Sequence, residues 1–395
     1  MLVATALIIL GLLGGIVATQ LGGYRLGGVI VVPVFAVYLL RSFGTFPVFV
    51  LSVIAGYVAV AIVKRNLLLY GRPLFGVALI SGAAVPILVF EFVEFGVGPV
   101  AGLDGIEFVG SILPGIAAYN LHRMSVERRV MDAVWSLALL TFLVVVGIGL
   151  VIFVGLTPLR DTSAPLLLAP GSDIANGLGL VVDRGREQTI TSRTTVLGLI
   201  TVGLVLSELV RDRWGLRLAG VIVVPLLVLF SLRNAWLLGL FVATAVIAYL
   251  GIRIVHWWTL LYGRVLLSMG IIFGMLTAAS LVPGFPAPYG MLPFFTGILG
   301  GVTAYNVHVV PPAERQPTIA VTIGTYVVLL GLARLVVDPT PLGILETVRG
   351  EYVVVGIVLV GWTLWEVWQV EHIRPSSLER WDTAPWLVDT PREVG

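Results

Sequence analysis

The polar residues of this chain are few, and several recur as ordered sets at nearly fixed spacing. Tyr70-Gly71-Arg72 returns as Tyr262-Gly263-Arg264, and Tyr119-Asn120-Leu121-His122 returns as Tyr305-Asn306-Val307-His308. Arg25 pairs with Arg217 in the same way, and Arg41 with Arg233. A guanidinium group grips carboxylate or phosphate oxygens through a planar fork, while Tyr and Asn add hydrogen bonds. Such a set suits an anionic substrate received and passed on at a membrane face. A plainer reading stands beside it. Each arginine can snorkel to headgroups or fix orientation, each glycine can serve a turn, and His122 and His308 can cap helix ends.

Other chemistries are missing. The four histidines, His122, His256, His308 and His372, lie far apart with no carboxylate cluster to join them, so no metal site is expected. Cysteine is absent, which excludes disulfides, thiolate metal ligands and cysteine nucleophiles. Neither Gly-x-x-x-x-Gly-Lys-Ser/Thr nor Gly-x-Ser-x-Gly occurs, and Lys64 is the sole lysine. No catalytic residue and no cofactor is therefore expected, and any energy source is an ion gradient or another subunit. The net charge of +2 is too small an excess to argue for nucleic acid.

Membrane segments must hold these residues. Of 395 residues 58% are hydrophobic and 12% charged. Soluble domains carry about a quarter charged residues, twice the share available here. Mean hydropathy is +1.04. The chain also contains itself twice. Gly28-Val29-Ile30-Val31-Val32-Pro33 recurs letter for letter as Gly220-Val221-Ile222-Val223-Val224-Pro225, and Leu68 to Arg72 as Leu260 to Arg264, both shifted by 192 (264 − 72). The Tyr-Asn-x-His set recurs at 186 (308 − 122), so the second copy is six residues shorter between the motifs.

The expected fold is an all-α polytopic membrane protein. It has two tandem parallel repeats of four to six transmembrane or re-entrant helices each, then one further transmembrane helix. The expected boundaries are 1–156 for the first repeat, 157–193 for an extracellular linker and 194–337 for the second repeat. The extra helix follows at 338–372 and a mobile cytoplasmic tail at 373–395. The run from Leu2 reads as a first span, since it lacks a basic n-region and a cleavage site. Segments 26–40 and 106–121 are short for a span of about twenty residues. With their counterparts they hold Pro33, Pro225, Pro114, Gly115 and Gly301, the marks of broken helices lining a cavity.

Basic residues cluster at 64–73 and 122–130, while the loop between carries Glu91, Glu94, Asp104 and Glu107. The positive-inside rule then puts the basic loops in the cytoplasm, the N-terminus outside and the C-terminus inside. Trp257-Trp258 reads as an aromatic belt at the inner interface.

In their order these motifs resemble the PgsC/CapC family of poly-γ-glutamate (capsule) biosynthesis membrane proteins. The resemblance is carried by Val31-Val32-Pro33, Leu69-Tyr70-Gly71-Arg72 and Leu113-Pro114-Gly115-Ile116-Ala117-Ala118-Tyr119-Asn120. The second copy offers Val223-Val224-Pro225, Leu261-Tyr262-Gly263-Arg264 and Leu299-Gly300-Gly301-Val302-Thr303-Ala304-Tyr305-Asn306. The chain looks like two family units fused. It departs from the pattern at Val34 and Leu226, where the family has Gly, and at Gly300, which stands for Pro.

The resemblance implies a non-catalytic membrane subunit that docks a separate ATP-dependent poly-γ-glutamate ligase, beside other membrane subunits, and helps the polyanion across. Arg72 and Arg264 then mark the docking or entry point. Two other readings stand: a secondary transporter of small anions with a midplane site between the repeats, and a scaffold for another envelope polymer. A ligase gene next door favours the first reading, and coupled uptake by the protein alone favours the transporter.

Overall fold

Inside a bilayer a backbone must satisfy its own polar groups, and long apolar runs do so as helices. The computed structural model describes residues 1–68, 71–97, 112–162, 165–183, 193–284 and 290–373, and among them it contains helices and no strand. The first copy comprises α1 (Leu2–Gly22), α2 (Val31–Arg41), α3 (Thr45–Leu67), α4 (Arg72–Val97), α5 (Ile112–His122) and α6 (Val126–Gly155). Two short helices follow, α7 (Leu159–Thr162) and α8 (Asp173–Leu178). The second copy comprises α9 (Arg193–Trp214), α10 (Val223–Arg233), α11 (Trp236–Thr259), α12 (Arg264–Leu281), α13 (Met291–Val309) and α14 (Pro312–Arg334). The extra helix is α15 (Gly350–Ile373). Eight helices among the described residues are long and apolar enough to cross a membrane. The protein is a multi-pass, all-α membrane protein with two tandem repeats.

The copies repeat their packing as well as their order. α3, α4 and α5 pack mutually, as do α11, α12 and α13; α2 lies on α6, and α10 lies on α14. Between copies the contacts are exchanged: α1 packs on α12, and its counterpart α9 packs on α4. Such reciprocity is the mark of a two-fold axis. Tyr38, near the end of α2, meets Phe295, near the start of α13, with ring centroids 5.8 Å apart. Like ends of the two copies therefore meet, and the repeats run parallel.

The expected helix breaks fall elsewhere than at the prolines. Pro33 and Pro225 are each the third residue of their helix, where a backbone N–H has no helical partner to lose, while the residues ahead of Pro114's helix lie outside the described ones. The break in each copy lies ahead of α2 or α10, in the non-helical stretches 23–30 and 215–222. α13 runs unbroken through Gly300 and Gly301. Gly115 and Gly301 have a different task. A Cβ on Gly115 would lie 2.4 Å from the Ala78 carbonyl, and one on Gly301 would lie 2.4 Å from that of Gly270. These glycines let α5 touch α4, and α13 touch α12, backbone to backbone.

The segment read as a plain connector is packed where it is described. Leu166, Leu167, Leu168 and Ile174 are buried in the main core. The Asp173 carboxylate accepts the Phe43 N–H at 2.8 Å, just beyond the end of α2. The second copy is closed in a similar way: Ile344 N–H donates to the Ser231 carbonyl and Ala235 N–H to that of Leu342, both at 2.8 Å. The acidic loop expected around 91–107 falls largely outside the described residues, as does the tail from 374.

Candidate functional site

One end of the bundle gathers the recurring polar residues. Its floor is the non-helical stretch before α2, whose backbone would be orphaned among helices without outside partners. Asp132 on α6, fully buried, supplies them. Its carboxylate accepts the N–H groups of Arg25, Leu26 and Gly27 at 2.6, 2.8 and 2.9 Å. Asn120 donates to the Gly27 carbonyl at 3.1 Å. The second copy keeps the asparagine and changes the acid. Asn306 donates to the Ala219 carbonyl at 2.8 Å. Thr318 stands where Asp132 would be (318 − 132 = 186), and the Thr322 hydroxyl accepts the Ala219 N–H at 3.0 Å. Both asparagines thus hold the broken segment in place.

The Tyr-Gly-Arg motif forms the turn between two crossings. Leu68 and Leu260 have φ of 50° and 51°, while Gly71 and Gly263 have 71° and 64°. Gly71 and Gly263 sit in the left-handed region that glycine adopts without strain. Their carbonyls accept the first helical bonds of α4 and α12, from Phe75 and Leu267. Tyr119 donates to the Gly71 carbonyl at 3.2 Å, tying this turn to α5. Tyr70 lies outside the described residues.

The turn delivers Arg72 and Arg264 to the first position of α4 and α12. Each faces arginines of the other copy. Burial weighs first on the Arg72 guanidinium, and after it come the charges of Arg217 and Arg211, tempered by Glu208. Burial likewise weighs first on Arg264, followed by the charges of Arg25 and Arg123, tempered by Asp132. Arg25 Nη1 is buried without a hydrogen-bond partner. Two basic clusters therefore face the same side, each built from both copies. An arginine at a helix N-terminus opposes the helix dipole, at a cost of about 0.3–1 kcal/mol.

His122 and His308 sit beside these clusters. The Tyr57 ring packs against His122 and receives Arg129, whose Nη1 donates to the Tyr57 hydroxyl at 2.7 Å. Tyr249, His308 and Arg315 repeat the arrangement, with Arg315 donating at 3.3 Å. In the second copy His256 replaces Lys64 and shares a 2.7 Å hydrogen bond with His308. The Tyr262 ring leans on His256 edge-on at 4.8 Å. A cavity of about 520 Å³ opens here between Arg253, His256, Trp257 and His308.

Arg41 and Arg233 lie apart from all of this, at the far ends of α2 and α10. Arg41 is only 4% exposed. Sequence reasoning missed Asp132 and the Arg129/Arg315 pair. The first was hidden inside an apolar segment, although a carboxylate there is costly enough to demand a partner. The second repeats at the same 186 shift as the histidines (315 − 129).

Among curated proteins and among solved structures nothing matches the chain. The sequence model of one family does, that of capsule biosynthesis CapC, over residues 10–130 and again over 202–316. Both matches span the short helix, the Tyr-Gly-Arg turn and the Asn-x-His end of one copy. With more than half of its length matched, and matched twice, the chain belongs to the capsule-biosynthesis CapC family.

Proposed function

We propose that this chain is the non-catalytic membrane subunit of a machine that makes poly-γ-glutamate and passes it out of the cell. The observation that carries the reading is the pair of basic clusters, Arg72 with Arg211 and Arg217, and Arg264 with Arg25 and Arg123. Arginines near enough to feel one another's charge repel, and Glu208, paired with Arg211 at 3.5 Å, offsets part of that in the first cluster. An anion between them turns that cost into attraction. Arg72 and Arg264 also open helices, where free N–H groups and the dipole favour negative charge. A polymer with one carboxylate per residue answers both clusters at once.

The positive-inside rule puts the basic face in the cytoplasm, where an ATP-dependent amide ligase would dock and feed the nascent chain. The ligase is a separate protein in this reading, because this sequence has no phosphate-binding loop.

The test replaces Arg72 and Arg264 together by Lys, which keeps charge and topology but loses the bidentate fork. Each arginine gives up one of the two parallel bonds of its fork, roughly 1.5–3 kcal/mol, so polymer yield is expected to fall about tenfold or more at normal protein abundance. Wild-type yield would return both arginines to a purely orienting role. Proton- or sodium-coupled uptake by vesicles holding this chain alone would instead favour a transporter of small anions.

A further inference from the structure

The two copies differ most in what covers them. In the second copy α15 fills the groove between α9 and α14. Val210, Leu216, Leu218, Val321 and Val367 form one buried cluster there, with Trp214 and Val370 against it. Thr363 of α15 presses on Gly324 of α14 and donates to the Ala320 carbonyl at 2.8 Å. Polar contacts set its register. Glu366 accepts from Gln316 and Trp362, and Glu371 accepts from Trp214 and pairs with Arg213 at 3.3 Å.

Among the described residues nothing fills the equivalent groove of the first copy, between α1 and α6. It is a cavity of about 570 Å³ lined by Ala18, Leu21, Tyr24, Trp135, Ala138 and Phe142 among others. At its α6 wall the groove stands open where the second copy is covered: Trp135 is 47% exposed, whereas Val321 at the matching position is 3% exposed. The seat itself is preserved: Ala138 stands in place of Gly324, small enough for a crossing helix. Ala18 and Gly22 replace Val210 and Trp214, and the Tyr24 ring lies over Gly22.

We propose that this groove receives one apolar transmembrane helix of a second, different protein, seated as α15 is seated in the other half. The groove's chemistry selects the occupant. The residues that hold the carboxylates of α15 are gone, with Val130 in place of Gln316, Leu21 in place of Arg213 and Gly22 in place of Trp214. The α15 of a second copy would enter this groove with Glu366 stripped of its Gln316 donor and Glu371 of both Arg213 and Trp214, a costly loss of partners. The occupant is therefore a helix without acidic residues on its docking face. This proposal does not depend on the polymer reading.

The chain has no cysteine, so one introduced at Val17, exposed in the groove, can carry a benzophenone crosslinker in membranes of the native host. Val210, 8% exposed in the groove that α15 fills, is the control position. The expected result is an adduct at position 17 whose sequenced peptide is an apolar span of another protein. Ala18→Trp should reduce that adduct about tenfold by overfilling the groove. The melting temperature should stay unchanged, because the site is empty. Adducts to lipid alone, to a second copy of this chain, or none at all would overturn the proposal. So would an adduct indifferent to Ala18→Trp.

Discussion

Three backbone N–H groups converge on the Asp132 carboxylate and fix the non-helical stretch of the first copy. Asp132→Ala leaves those donors buried without acceptors, at about 1–3 kcal/mol each before relaxation. We expect the protein in detergent to melt at a clearly lower temperature, with Asp132→Asn in between. An unchanged melting curve would mean that water replaces the carboxylate. The sequence marks this residue only by its cost. Residue type shows that an acid in an apolar run needs partners, while its partners lie more than a hundred positions away. Arg72, Arg264 and the asparagines were legible because duplication preserved them as motifs. Their partners across the copies were not, since Arg72 facing Arg217 is a property of packing.

Helix placement was legible wherever an apolar run was long. Spans such as Thr45–Leu67 and Trp236–Thr259 need only length and hydropathy. What misled was the proline. Pro33 and Pro225 look like breaks inside short segments, yet each occupies a first turn that tolerates it. The glycines of α5 and α13 likewise serve contact, as GxxxG-type glycines do. Gly115→Ala and Gly301→Ala should each destabilise by about 1–3 kcal/mol, because α4 and α5, or α12 and α13, must part. Gly76→Ala on α4, with open space around its Cβ, should be neutral or stabilise by a few tenths to about 1 kcal/mol. Thermal melts of the three variants check this. Equal effects at positions 76 and 115 would remove the close-contact argument.

At the scale of the molecule, duplication was the most legible feature, and orientation is what a labelling experiment now decides. Arg128 is exposed at the basic face, and Gly177 lies exposed beside the segment that closes the opposite one. Gly177→Cys should react with an impermeant thiol reagent in intact cells, and Arg128→Cys only after permeabilisation. The reverse pattern would invert the topology. The 165–183 segment and the pseudo-symmetric seat of α15 could not be read from the sequence. Neither carries a period; both are set by surfaces that exist only once the helices have assembled.

The unequal anchoring of the two broken segments bears on how each half breathes. In the first copy three amides bond to a carboxylate, whereas Ala219 in the second bonds to one neutral hydroxyl. Bonds to an ionised acceptor are roughly twice as strong as neutral ones. Opening is therefore easier in the second half, and hydrogen exchange should be faster at Ala219 than at Gly27 by about two orders of magnitude or more. Within one covalent chain, an ancestral symmetry has become a division between a stiff half and a pliant one.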